Sequence, residues 1–310
     1  MKQFKSILYV TGENGDQQSA IARAVSLAEN NQADLTVIDV IPTVMGEYSE
    51  EIMSSRMQFL ESFTEPYNKR LDIRISVETG TVFIEIIREV LRNKHNLVIK
   101  PAENPDFLKR LFGSTDIHLL RKCPCPVWIM KLPEKSNYSC IMAAVGFKPL
   151  ETRETEENLN REILDLASSL ALSDFASLHV VHAWEAFAAH YIRSRGDKEH
   201  EAMAVYVEKE RSLHQNALNV LMEKLSKRVG DDVYQELSPS LHLLQGDAQK
   251  MIAALAAKLQ ADLVVMGTIA RTGISGLIIG NTSEAILDQL ECSVLAVKPP
   301  GFVTPVKLEE

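Results

Sequence analysis

An internal repeat limits this chain more than any other feature. Gly113 and Gly280, Cys125 and Cys292, and Lys131 and Lys298 each stand 167 residues apart. One offset therefore carries a strand–loop–helix–strand tail from the first half onto the second. Nearer the start of each half the offset falls to 134, as between Ile7 and Ile141. The second half has thus gained residues between its early strands, much of them within 185–240. A period this long is no solenoid; it indicates a duplicated domain. The length of 310 residues fits two domains. The polar, Pro-containing stretch Leu132–Tyr138 separates residues 1–133 from 138–310.

Each half alternates strand and helix. In the first, ILYVT (7–11), Leu35–Ile41, Arg74–Val77, Leu97–Lys100 and Val127–Met130 read as strands. Helical stripes lie between them: Ile21, Ala24, Val25 and Ala28; Met53, Met57, Leu60 and Phe63; Phe83, Ile86, Ile87 and Val90; and a short helix holds Ile117–Leu120. The second half repeats the order with strands at Ile141–Val145, Leu178–Trp184, Leu241–Leu244, Leu263–Met266 and Val294–Val297, and with a helical insert over 185–229. This alternation predicts βαβ units, right-handed crossovers and parallel sheet covered on both faces. Ligands of such sheets sit beyond the strand carboxyl ends. Gly12, Gly146 and Gly267 lie at those ends.

The net charge of −9 argues against nucleic acid held by a basic surface. Lys109-Arg110 and Arg121-Lys122 read as solvated helix faces. No apolar run approaches the ~18 residues of a membrane span, and MKQFKSILYV lacks a signal-peptide core. A cytoplasmic protein is expected. The four cysteines include CPCP at 123–126, too closely spaced for a zinc or redox pair. They read as reduced and structural.

The stretch Val264–Glu284, VVMGTIARTGISGLIIGNTSE, runs from a buried strand through a glycine-punctuated loop into a helix start. Glycines let backbone N–H groups approach a ligand, and a helix start favours an anion. Glycines that only make the turn are the plainer explanation.

MGTIARTGIS…GNTSEAIL, the tail CSVLAVKP and the first-half counterpart HLLRKCPCPVWIMK resemble the tandem universal stress proteins, and are similar to the universal stress protein E type. The resemblance covers nearly the whole chain. It implies an α/β protein of two tandem domains, each a five-stranded parallel sheet with helices on both faces. Nucleotide-binding members carry a Gly-x2-Gly-x9-Gly-Ser/Thr loop and an acid at the end of the first strand. Gly267 and Gly280 match the first and third glycines, Ala270 replaces the second, and Asn281 with Thr282 stands at the Ser/Thr. Gly146 replaces the acid. With Thr268 and Arg271, these residues form the candidate second-domain site, for which the resemblance implies ATP or AMP with Mg. In the first half Gly113-Ser114 matches the end of the motif, Lys100 and Glu103 replace its first two glycines, and Gly12 replaces the acid. That site reads as degenerate. The resemblance also implies that the fifth strands, Val127–Met130 and Val294–Val297, pair within the chain. A homodimer of the whole chain stays open.

His179 and His182 share a strand three residues apart and so face opposite ways, a poor metal site. His190, His200 and His214 are too far apart along the insert to share one ion. Asp106, Asp116 and Glu284 read as loop or helix-start carboxylates. No nucleophile–base pair, nucleophile elbow or P-loop is present. A non-catalytic, stress-response ligand binder is the expected function. The alternatives are a scaffold with vestigial sites, a binder of an apolar or amphiphilic ligand under the 185–229 insert, and a weak nucleotide hydrolase.

Overall fold

The computed structural model describes residues 4–12, 17–43, 50–103, 115–151, 153–186, 197–268 and 280–308, with backbone alone at 197–202 and 281. Apolar runs become strands, and most are followed by an amphipathic helix that covers them. The first half runs β1 (Ser6–Val10), α1 (Gln18–Asn31), β2 (Asp34–Pro42), α2 (Glu50–Thr64), β3 (Ile73–Gly80), α3 (Val82–Asn93), β4 (Leu97–Pro101), α4 (Thr115–Lys122) and β5 (Val127–Met130). The second runs β6 (Cys140–Ala144), α5 (Glu154–Asp174), β7 (Ser177–Trp184), α6 (Asp197–Val229), α7 (Asp231–Leu237), β8 (Ser240–Gln245), α8 (Ala248–Leu259), β9 (Leu263–Gly267), α9 (Asn281–Leu287) and β10 (Ser293–Val297). Helix α7 carries too few apolar residues to be read from the sequence.

Strand order is β3-β2-β1-β4-β5-β10-β9-β6-β7-β8 in one ten-stranded sheet. Each half pairs its five strands in parallel, and the halves have mirrored orders. They join where β5 meets β10 antiparallel, with Val294 opposite Ile129 and Leu295 opposite Trp128. Antiparallel pairing of equivalent strands gives a pseudo-two-fold relation between the halves. The pairing expected of the fifth strands is present, and β3 and β8 form the outer edges.

Alternation along the strands builds two apolar layers. One face carries Tyr9, Val37, Trp128, Ala143, Val265 and Leu295 against α1, α2, α5 and the C-terminal half of α6. The other carries Val10, Ile129, Met142, Val264 and Ala296 against α3, α4, α8 and α9. Both layers run unbroken across the junction of the halves. Within α6, Leu218, Met222 and Leu225 are buried at helical spacing, so this end of the insert is packed onto the sheet. Among the described residues no helix is long and apolar enough to cross a membrane.

Candidate functional site

In the second half, β6 and β9 are neighbours and the chain leaves them at Gly146 and Gly267. A cavity of about 920 Å³ opens at these strand ends. Its floor includes Gly146, Gly267, Gly280, Thr282 and Ser283, and its roof is α6, through Tyr206, Leu213 and His214. Trp184 from β7 and Leu159 from α5 add apolar wall. The volume lies at the upper end of what small-molecule sites occupy.

Hydrogen bonds fix this floor. Asn160 of α5 clamps Gly146: its Oδ1 accepts from Gly146 N at 3.0 Å and its Nδ2 donates to Gly146 O at 2.9 Å. The N–H of Gly146 is thus taken, and its carbonyl already accepts one bond. Gly280 N donates to Thr268 O at 3.1 Å. Ser283 Oγ donates to Gly267 O at 3.0 Å. Thr268 does not line the cavity; its hydroxyl is buried and donates to Leu120 O of the first half at 3.3 Å. Gly267 has a packing reason of its own, since a Cβ there would stand 2.8 Å from Leu159 Cδ2. Ala270, Arg271 and the side chain of Asn281 lie outside the described residues.

Two histidine pairs come from sequence positions far apart. His182 of β7 and His214 of α6 are buried, with Nε2 and Nδ1 2.8 Å apart. His182 Nδ1 lies 3.2 Å from Val145 O, and a carbonyl only accepts, so Nδ1 carries a proton. In the neutral ring Nε2 then accepts from His214 Nδ1–H. Phe147 stacks on His182 at 3.8 Å and Trp184 on His214 at 5.2 Å. On the opposite sheet face His179 meets His242 at 2.9 Å, and burial lowers both pKa values below the usual histidine range. His179 and His182 therefore do face opposite ways, each with a partner that spacing alone did not indicate. His190 and the side chain of His200 lie outside the described residues. The cavity rim carries Glu151, Glu156, Glu185, Glu210 and Asp247 against Lys148, which is paired with Glu151 at 3.0 Å.

In the first half the described residues at the equivalent strand ends bond one another. Gln17 clamps Gly12 as Asn160 clamps Gly146, with bonds of 2.8 and 2.6 Å. Lys100 is buried and its Nζ lies 2.8 Å from Asp116 Oδ1 and 3.5 Å from Glu103 Oε1. Thr115 N, at the start of α4, donates to Glu103 at 3.2 Å. Carboxylates thus pair with the ammonium and accept from the first N–H of α4. Asp116 stands in the first turn of α4, the helix-start position expected, but it is buried rather than solvated, and desolvation raises its pKa despite the Lys100 charge. Glu284 likewise is engaged, pairing with Arg121 of the first half at 2.7 Å. Gly113, Ser114, Asp106 and Lys109-Arg110 lie outside the described residues.

Comparison with known proteins agrees with this architecture. The profile of the Universal stress protein family matches twice, at residues 3–131 and 156–298. Universal stress protein E of Salmonella typhi is 30% identical over 330 residues, covering 100% of this chain and 99% of the relative. The Haemophilus influenzae homolog of that protein is 26% identical and covers 96% of this chain and 98% of its own. Among solved structures, a functionally unknown protein from Pseudomonas aeruginosa PAO1 superposes with a TM-score of 0.68 at 26% identity, covering 96% of this chain and 94% of that one. A universal stress protein from Archaeoglobus fulgidus shares the fold at a TM-score of 0.60, 15% identity and coverage of 94% and 96%. Two family matches on two halves of one sheet, with relatives aligned along nearly their whole length, make this chain a member of the universal stress protein family.

Proposed function

We propose that this chain is a cytoplasmic, non-catalytic stress-response protein whose second domain holds a phosphate-bearing ligand, such as ATP or AMP. The observation that carries the reading is the cavity at Gly146, Gly267 and Gly280–Ser283, at the strand ends where α/β sheets bind ligands. In the first half Lys100 is already paired with Asp116 and Glu103, which leaves its charge less free for an anion. The acidic rim disfavours a bare polyanion, so ATP would enter as its Mg complex. Regulation then follows from linkage: a ligand that binds one conformation or assembly stabilises it.

A second reading rests on the roof. Tyr206, Leu213, Trp184 and Leu159 give the same cavity an apolar compartment under α6. An amphiphilic ligand would place its polar end toward Gly280–Thr282 and its apolar part against α6.

Native mass spectrometry followed by calorimetric titration with ATP and AMP, with and without magnesium, tests both. One nucleotide per chain, lost in Gly280→Asp, supports the first reading. A co-purified apolar mass, lost in Leu213→Asp, supports the second. An empty protein indifferent to nucleotides favours a scaffold with vestigial sites. Magnesium-dependent phosphate release would point to a weak hydrolase.

A further inference from the structure

The CPCP segment has a setting that its spacing did not suggest. Cys123 follows the last turn of α4, with its N–H bonded to Leu119 O at 2.9 Å, and Cys125 leads into β5. Their sulfurs are 3.6 Å apart, in van der Waals and weak hydrogen-bond contact, and both are free thiols. Cys123 is fully buried and Cys125 keeps 8% of its surface. Lys298, at the end of β10 in the other half, is buried in the same place with 3% exposure. Its Nζ donates to Thr268 Oγ1 at 2.5 Å and to Leu120 O. Among the described residues no carboxylate pairs with it. A buried ammonium without a carboxylate must lose its proton or find another anion. Among the described residues, the Cys123 and Cys125 thiols can become anionic and act on its charge.

We propose that Cys123 and Cys125 form a thiol pair that hydroperoxides oxidise reversibly to a disulfide. The proposal does not depend on what fills the cavity of the second domain. The step balances. The thiolate of the pair attacks the O–O bond of the hydroperoxide and becomes a sulfenic acid, while the other peroxide oxygen leaves as hydroxide or alkoxide and takes up a proton. The second thiol attacks the sulfenic sulfur, an S–S bond forms and water leaves. Two thiols are oxidised by two electrons and one peroxide is reduced. The neighbouring thiol lies within reach of the sulfenic acid, which favours disulfide formation over further oxidation.

The electrostatics agree. Burial works to raise the Cys123 pKa. The hydrogen bond from Cys125, the Cys125 backbone N–H and the Lys298 charge outweigh it and hold the thiol below its usual value. Cys125 is held well above its own, first by the hydrogen bond it makes to Cys123 and then by burial. One proton is therefore retained more readily than two. Oxidation would also be felt at the other half, since Leu120 O, one turn before Cys123, accepts from Lys298 and from Thr268.

The test uses the full-length protein treated with hydrogen peroxide, then peptide mass mapping under non-reducing conditions. The expected result is loss of two hydrogen atoms within the peptide that holds Cys123 and Cys125. Dithiothreitol should reverse it, and Cys125→Ser should abolish it while leaving far-UV circular dichroism unchanged. Lys298→Met should slow disulfide formation by about tenfold and weaken thiolate ultraviolet absorbance at neutral pH, a signature that loss of packing alone would not produce. Free thiols after treatment, sulfinic or sulfonic acids alone, or a bridge to Cys140, Cys292 or a second chain would each overturn the proposal. If Lys298→Met does not fold, the Cys125→Ser comparison still decides it.

Discussion

Arg23 of α1 and Asp174 of α5 meet in a two-pronged ion pair that joins the halves of the chain, with Nη2 2.5 Å from Oδ2 and Nη1 3.0 Å from Oδ1. Both side chains are almost fully buried, at 5% and 2% exposure. Arg23 also donates to Ser136 O at 2.7 Å and lies 4.7 Å over the Tyr138 ring, while Tyr138 N donates to Asp174. The pair thus pins the linker between two equivalent helices. Removing one partner strands the other charge in a dry site. Asp174→Ala should cost about 3–5 kcal/mol by urea unfolding, and Arg23→Met with Asp174→Leu should recover much of that loss. A single-variant cost below about 1 kcal/mol would show that the pair is solvated.

The junction of β5 and β10 makes a separate prediction. A proline at Leu295 or Ile129 removes a backbone donor and leaves a ladder carbonyl unpaired inside the sheet, at about 1–3 kcal/mol. Because both apolar layers cross this seam, small-angle scattering should also report a larger radius. An unchanged radius and unfolding midpoint would mean that side-chain packing alone holds the halves together.

In the first half, Lys100 has two candidate counterions of unequal burial. Asp116 is 4% exposed and Glu103 is 34% exposed at the side chain. Asp116→Ala should therefore cost about 3–5 kcal/mol by leaving a buried ammonium unpaired. Glu103→Ala should cost no more than about 1 kcal/mol, as exposed pairs do. Denaturation of the two variants side by side checks this, and equal losses would assign Lys100 to both carboxylates.

Much of this architecture was legible in the sequence, for physical reasons. Val127–Met130 is four consecutive apolar residues, and its reading as a strand agrees with the structure to the residue. The stripe Phe83, Ile86, Ile87 and Val90 has a helical period, and α3 carries it. The 167-residue offset foretold two like halves. What stayed hidden depends on long-range contact. Asn160 and Gln17 are ordinary polar residues in helical stretches until the sheet brings Gly146 and Gly12 to them. Nothing near His214 indicates His182, 32 residues away, nor does anything near Cys123 indicate Lys298. Gly267, Gly280 and Thr282 of the substituted glycine motif line the cavity, while residues 269–279 between them fall outside the described residues.

Lys298 also makes stability depend on pH. Burial lowers its pKa from 10.5 to about 8, although the two facing thiols work against the shift. Between pH 8 and 10.5 the unfolded chain holds this proton and the folded chain does not, so folded-state stability from this group rises with pH across that window. Below pH 8 both states are protonated and the full cost of the buried charge remains. The comparison is best made in a Cys123→Ser, Cys125→Ser background, where the thiols no longer titrate and the shift deepens. There the deficit of Lys298 relative to Lys298→Met should shrink steadily as pH rises above 8. A constant difference across the window would mean that the lysine keeps its ordinary pKa.

Gly267 can be glycine for a ligand or for Leu159, and the two reasons separate experimentally. A Cβ at Gly267 would stand 2.8 Å from Leu159 Cδ2 and 3.4 Å from Leu159 Cγ. Contacts of the first kind force the leucine to turn, and overpacking of this type costs about 1–3 kcal/mol. Gly267→Ala should lose roughly that amount, and adding Leu159→Val, which removes the obstructing arm, should restore most of it. Thermal unfolding without added ligand reads this packing reason alone, so Gly267→Ala with Leu159→Val is the background in which to titrate ATP and AMP. Binding equal to that of the native chain would show that the glycine answers to α5. Binding lost from a protein restored in stability would show that the ligand needs the bare backbone at the end of β9.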